Sequence, residues 1–277
     1  NYPQGWRGVY EQRGAGTYPL SHPETRAVVE QFLKCKRVSV ALTYHTYCGA
    51  ILRPFSDGPD KGMNSHDLGV YDDLGKMGST TTGYPAFSVY HGFTHLLPTK
   101  ITGGFDDWAY VHTGAFAFTV ELWDVAREAG VEIENTADFH FMGGMTDPQL
   151  KQILDWSDAH PEYEGFRAWA PLDHPQLGRV EVGGWDRIGF WQNPPGPKLE
   201  AECEKNFLFV LDLANAVPRL GELKVEKERL APSLWKVTAR VINEGYLPSS
   251  GSKIGEERGD KGCLKSVSYT HLTLPTN

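Results

Sequence analysis

The chain has 277 residues, of which 40% are hydrophobic and 12% aromatic, enough apolar material for a large core and a small second domain. Its formal net charge of −8 at pH 7 argues against a nucleic-acid partner, because the phosphates would be repelled. No apolar run approaches the roughly 20 residues that cross a bilayer, so no membrane span is predicted.

The four cysteines lack the C-x-x-C spacing of a structural zinc site, and so they do not suggest one. Cys35 and Cys48 could form a disulfide or remain free thiols, and the sequence leaves both alternatives open.

The first predicted helix and strand lie between residues 21 and 44. Ser21 and Glu24 form an S-x-x-E capping box, which predicts a helix from there to about Lys34. Val38 to Tyr44 is apolar and rich in β-branched residues, which is typical of a buried strand. This strand ends on His45, and function gathers at the carboxyl ends of strands in open α/β sheets. His45 could therefore be a metal ligand, a base or a hydrogen-bonded core residue.

A second apolar strand ends in the same way. After a helix predicted over Ser65–Met77, the run Ala115–Val120 leads directly into Glu121. A carboxylate after such a run is costly to desolvate unless it has a partner or a task. If both strands end at one sheet edge, they deliver an imidazole for zinc and a carboxylate base, as a metal-assisted hydrolase requires.

Three blocks carry a family resemblance: SHPETRAVVEQFL (21–33), LTYHTYCGAILRPF (42–55) and GGFDDWAYVHTGAFAFTVELWD (103–124). In that order they resemble the zinc metallocarboxypeptidases, the carboxypeptidase A-like family, over roughly residues 1–190. The resemblance implies an α/β fold with a mixed central sheet and helices on both faces. It also implies zinc as cofactor and peptide or protein C-termini as substrates.

The resemblance assigns a role to each of several residues. It implies that His45 is the third zinc ligand, that Glu121 is the general base, and that Thr46 and Tyr47 help line the substrate cleft. The mobile tyrosine that closes over substrate has no direct match, since Thr99 stands at its position. Tyr90 is the nearest tyrosine in that loop, and we carry it as the candidate.

Asp106 falls where the family places the residue at the bottom of the pocket for the last side chain. An aspartate there would suit a C-terminal Lys or Arg, because the two charges relieve each other's desolvation. The alternative is that Asp106 and Asp107 merely cap a helix or turn before Trp108. The sequence leaves both interpretations open.

The first six residues, NYPQGW, are similar to the end of a family segment that holds the substrate's terminal carboxylate. Neither His22-Pro23-Glu24 nor His174-Pro175-Gln176 matches the family's HxxE pair, which supplies the other two zinc ligands. We therefore expect residues 1–217 to be the C-terminal part of a catalytic domain that carries one zinc ligand of three. Such a fragment would be inactive by itself, and its parent is expected to be secreted or periplasmic.

Two further helices are predicted in the second half of this domain. Thr146 is the predicted N-cap of a helix from Asp147 to about His160. The second helix runs from Pro197 to about Val217, with a packing face predicted from the spacing of Phe207, Val210, Leu211 and Ala214. Between the helices, Asp173, His174 and Glu181 could be a metal set, but the family resemblance favours a scaffold role.

The remaining residues differ in character. Leu223–Arg229 and Leu234–Asn243 alternate as a hairpin does, which predicts the start of a truncated β-sandwich over 218–248. Residues 249–277 are predicted to be a disordered tail, in which 267–276, VSYTHLTLPT, resemble a translated sequencing adapter and are left out of the fold prediction.

Two other functions stay open at this point. The parent could be a related zinc amidase that acts on acyl-amino acids or peptidoglycan peptides. It could also be a non-catalytic binding module in which the β-sandwich matters most, and retained function after Glu121→Gln would favour that alternative.

Overall fold

The computed structural model describes residues 1–12, 14–35, 38–94, 101–134, 136 and 144–258. Thr99, Cys263 and the predicted adapter segment 267–276 lie outside these ranges. Within them, no helix combines the length and the apolar character that a membrane crossing needs.

A four-stranded mixed sheet forms the centre of the molecule. Its strands are β1 (Val40–Thr46), β2 (Ala50–Arg53), β3 (Ala86–Ser88) and β4 (Phe116–Leu122). Their spatial order is β1-β4-β2-β3, with β1 parallel to β4, β2 antiparallel to β4, and β2 parallel to β3. The first five residues of β4 are all buried, as expected for a strand covered on both faces.

Helices cover both faces of this sheet, which confirms the predicted fold class. Their bounds are α1 (Pro23–Lys34), α2 (Ser65–Thr82), α3 (Phe105–Thr113), α4 (Val125–Glu128), α5 (Asp147–Ala159) and α6 (Gly196–Ala216). On one face, Tyr71 of α2 and Phe209 of α6 pack in the same core cluster as Phe118. On the other face, Trp108 of α3 packs with Ala117. Because neighbouring residues of a strand point to opposite faces, β4 contributes to both clusters.

Helix starts were predicted with mixed success. Thr146 caps α5 through a capping box with Gln149, which confirms that prediction. The capping box at Ser21 is wrong: α1 begins at Pro23 after His22, which makes no side-chain cap, and the Ser21 hydroxyl accepts a hydrogen bond from Asn1 Nδ2 at 3.3 Å. Proline suits the first turn of a helix because its missing N–H is not needed there.

The predicted packing face of α6 is also wrong. Phe207 and Leu211 are 58% and 42% exposed. The buried residues of α6 are instead Glu202, Asn206, Phe209, Leu213 and Ala216. Both stripes recur at helical spacing, so periodicity alone could not choose between them.

Two antiparallel hairpins extend from this body. β5 (Phe166–His174) pairs with β6 (Gly178–Trp185), and β7 (Lys224–Ala231) pairs with β8 (Leu234–Arg240). The second hairpin confirms the predicted strand pair, while its membership of a β-sandwich stays a prediction. The metal candidates Asp173, His174 and Glu181 all lie on the first, exposed hairpin.

The prediction of disorder from residue 249 onwards is wrong for the last described element, α7 (Lys253–Arg258). The backbone N–H of Lys253 donates to both carboxylate oxygens of buried Asp67, at 2.8 and 3.0 Å. The Ser252 hydroxyl donates to the carbonyl of Gly114 at 2.9 Å. These long-range contacts order a segment whose composition alone favours disorder.

Candidate active site

The sheet brings the two predicted catalytic residues together. β1 and β4 run side by side in parallel, and their pairing register sets His45 opposite Glu121. His45 Nδ1 lies 3.8 Å from Glu121 Oε1. The His45 side chain is 65% exposed, whereas that of Glu121 is only 14% exposed. The predicted meeting of the two strand ends is therefore confirmed, although the chemical roles of the two residues remain proposals.

His45 and Glu121 open into a cavity of about 520 Å³. Asp106, from the first turn of α3, lines the same cavity together with Ser56. Gly104 makes room for the Asp106 carboxylate, because a Cβ at this position would lie 2.8 Å from Asp106 Oδ1. The cavity therefore holds two carboxylates and an imidazole.

The two adjacent aspartates have different environments. Asp106 lines the cavity, and its Oδ1 accepts the backbone N–H of Asp107 at 3.1 Å. Asp107 points elsewhere: its two oxygens accept the backbone N–H of Ser56 at 3.2 and 3.1 Å. Asp107 thus holds the loop that carries Ser56 against α3. Asp106 accepts a hydrogen bond in the first turn of α3 and also lines the cavity.

Burial dominates the electrostatics of these carboxyl groups. It raises the pKa of Glu121 to about 7, and the negative charge of Asp106 contributes in the same direction. Burial also raises the pKa of Asp106, and together with the Asp106 charge it raises that of Asp107 to about 7. Desolvated carboxylates are costly, so a cation bound in this cavity would relieve the cost.

Sequence reasoning overlooked two hydroxyl groups of the cavity. Thr43 and Thr119 both line it, and their hydroxyl oxygens lie 3.0 Å apart. Each stands two residues before a predicted catalytic residue, and side chains two apart share one face of a strand. The alternation that places His45 and Glu121 could therefore also have identified these threonines.

The other predicted site residues, Thr46, Tyr47 and Tyr90, are not among the described residues that line the cavity. Thr46 is the last residue of β1, and Tyr47 follows it. Burial raises the pKa of Tyr47, while the nearby positive charge of Arg187 lowers it. Tyr90 begins a π-helical turn, Tyr90–Thr94, and its backbone N–H donates to the carbonyl of Phe55 at 2.9 Å.

A catalytic zinc ion requires three protein ligands as a rule. The described part of the chain contains no group of three or more His, Cys, Asp or Glu side chains that could hold a metal ion. An accessible imidazole beside a carboxylate fits one part of such a site. The described residues alone therefore do not complete a zinc centre.

Comparison with known proteins points to one family. The family described as "Zinc carboxypeptidase" matches residues 1–143. Human carboxypeptidase B is 27% identical over 135 residues, which cover 46% of this chain and 32% of that protein, so the chain spans about a third of this relative's length.

Two solved structures are similar over part of the chain. One is the crystal structure of thrombin activatable fibrinolysis inhibitor, with 24% identity, a TM-score of 0.33, and coverage of 44% of this chain and 30% of that one. The other is carboxypeptidase A from Helicoverpa armigera, with 18% identity, a TM-score of 0.36, and coverage of 58% and 41%.

Proposed function

Because this chain belongs to the zinc carboxypeptidase family, we propose that it forms part of an enzyme that hydrolyses C-terminal peptide bonds. The observation that carries the proposal is the contact between His45 and Glu121 across neighbouring strand ends, at 3.8 Å. His45 would be one zinc ligand, while the described residues contain no group of three or more His, Cys, Asp or Glu side chains that could complete the site. When bound, zinc supplies Lewis-acid polarisation of the scissile carbonyl.

Glu121 is proposed as the general base. Its carboxylate is largely withdrawn from solvent but borders the cavity, so it could accept a proton from a water molecule bound there. The same carboxyl group could then deliver that proton to the leaving amine. Thr46 and Tyr47, which follow in sequence, are proposed to contact the substrate near the strand exit, and Tyr90 is retained as the candidate for the mobile tyrosine.

The substrate is proposed to end in a basic residue. Asp106 is buried and lines the cavity, and Gly104 leaves space for its carboxylate. A guanidinium or ammonium group would pair with this carboxylate and offset the cost of its desolvation. A neutral aromatic side chain would fill the same space without relieving that cost.

Binding of the free amino acid product tests this preference on the chain itself. We expect L-arginine to bind about tenfold or more tightly than L-citrulline, its uncharged isostere, because only arginine offers a charge-assisted hydrogen bond. Asp106→Asn should abolish this difference, as measured by saturation-transfer NMR or tryptophan fluorescence. Equal affinities in the unmodified chain, or a difference that survives in D106N, would remove Asp106 from the binding site.

The complete enzyme offers a second measurement of the same preference. It is expected to cleave hippuryl-Arg much faster than hippuryl-Phe. Equal rates for the two substrates would contradict the proposed role of Asp106.

Zinc titration tests the statement that this chain holds only part of the metal site. We propose that the 277-residue chain is inactive alone and binds zinc weakly, through His45, in calorimetry. His45→Ala should remove this weak binding, while His174→Ala, at a half-buried position on the β5–β6 hairpin, should not. Affinity typical of a complete three-ligand site would show that the missing ligands are present after all. The secreted or periplasmic location stays a prediction.

A further inference from the structure

The strands that carry His45 and Glu121 leave the sheet through two residues with unusual backbone conformations. Trp123 has a φ of +63° and Cys48 a φ of +143°, in a region that favours glycine. The Cys48 backbone N–H donates to the Trp123 carbonyl at 2.9 Å, which joins the two exits. Such conformations persist only where the surroundings hold them in place.

Tyr84 holds the Trp123 side of this junction. The backbone N–H of Trp123 donates to the Tyr84 hydroxyl oxygen at 2.9 Å, and both residues are buried. The Tyr84 hydroxyl in turn donates to the Glu202 carboxylate of α6. Since a tyrosine hydroxyl has a single proton, its bond to Glu202 leaves the oxygen lone pairs to accept from Trp123.

Glu202 is a buried charge with several partners. Its residue is 6% exposed. Asn206 Nδ2 donates to Glu202 Oε1 at 3.1 Å, and Lys205 Nζ lies 2.7 Å from Oε2. Lys205 Nζ also lies over the Tyr84 ring, 4.4 Å from its centre. These contacts fix the carboxylate in the orientation in which it accepts a hydrogen bond from the Tyr84 hydroxyl.

We infer that Tyr84 and Glu202 are positioning residues for the His45–Glu121 pair. This inference rests on the proposed function. The hydrogen bonds run from Glu202 through Tyr84 to Trp123, two residues after Glu121, and from there to Cys48, three residues after His45. They therefore fix both strand ends directly beyond the reacting side chains. Small displacements of reacting groups are costly in catalysis, so a fixed exit has functional value.

Tyr71 provides a matched control. Its hydroxyl also accepts a backbone N–H of β4, that of Ala117 at 3.1 Å, and Tyr71 is fully buried. Ala117 lies in the middle of the strand, four residues before Glu121. Tyr84→Phe and Tyr71→Phe thus each remove one buried hydroxyl that accepts a backbone N–H. The N–H lost in the first variant is that of Trp123, directly after β4 at the exit, whereas in the second it lies within the strand.

The experiment compares these variants by NMR on the full 277-residue chain. Both variants should be less stable than the unmodified chain. Only Tyr84→Phe should shift the His45 ring C–H and Glu121 side-chain signals. It should also accelerate exchange of the Trp123 amide by about tenfold or more beyond the loss in global stability, because this N–H loses its acceptor.

A second variant serves if Tyr84→Phe does not fold. Glu202→Gln keeps the size of the side chain and an oxygen that can accept from Tyr84, but it loses the charge that pairs with Lys205. The His45 and Glu121 signals should therefore shift in the same direction as in Tyr84→Phe, but by less. Unchanged His45 and Glu121 signals in a folded exit variant would overturn the positioning role, as would an equal shift in Tyr71→Phe. If the unmodified chain failed to bind L-arginine and zinc, the proposed function would be overturned instead. The NMR comparison of the variants would still stand.

Discussion

Asp107→Asn should change how the stability of the protein depends on pH. Burial and the neighbouring Asp106 raise the pKa of Asp107 from 3.8 to about 7 in the folded chain. Between these pH values the folded state keeps a proton that the unfolded state has released, so the free energy of unfolding falls as pH rises. The difference between the two pKa values corresponds to at most about 4 kcal/mol, which is lost as pH rises from 3.8 through 7.

Asparagine does not titrate, and its Oδ1 can still accept the backbone N–H of Ser56, which lies 3.1–3.2 Å from the Asp107 oxygens. Urea unfolding, followed by tryptophan fluorescence, should therefore show that the stability of D107N relative to the unmodified chain increases between pH 4 and pH 8, by up to about 4 kcal/mol. Exposed Asp158→Asn is the control and should run parallel to the unmodified chain. A D107N curve that also runs parallel would refute the raised pKa.

Two further predictions concern packing and reactivity. A Cβ at Gly78 would lie 2.7 Å from the Phe209 ring, whereas a Cβ at Gly69 in the same helix would meet nothing within 4 Å. In urea unfolding, Gly78→Ala should therefore lower the free energy of unfolding by about 1–3 kcal/mol. Gly69→Ala should raise it by roughly 0.5–1 kcal/mol. A reversed order would contradict the packing. Cys48 is buried, and burial raises the pKa of its thiol far above the ordinary value. In the native chain it should therefore react much more slowly with a disulfide reagent than exposed Cys203 does. Equal labelling rates for the two thiols would show that the strand exit opens readily.

The central strands and their meeting point were predictable from sequence because local signals determine them. An apolar, β-branched run predicts a buried strand, and the polar residue that ends it marks the sheet edge. Parallel pairing of β1 with β4 then sets His45 opposite Glu121. The threonines on the same face follow from the same alternation.

Contacts between distant segments were not predictable in this way. α6 presents two stripes at helical spacing, and the buried one packs its apolar residues in the core cluster of the sheet. Glu202, in the same stripe, accepts a hydrogen bond from Tyr84, 118 residues earlier. The start of α7 is anchored by Asp67, which accepts the N–H of Lys253, 186 residues later. In both cases the partner lies far away in the sequence, so the local pattern could not reveal it.

The placement of charge in the cavity connects these observations. A chain that only needed a stable core would not place the Glu121 and Asp106 carboxyl groups along one cavity, since each raises the cost of ionising the other. The cost of ionising these carboxyl groups favours the binding of cations, because each cation bound in the cavity offsets part of it. On the proposed function there are two such ligands, a metal ion beside the strand exits and a basic side chain beside α3. Asp106→Asn and His45→Ala should therefore each weaken the binding of one cation and spare that of the other.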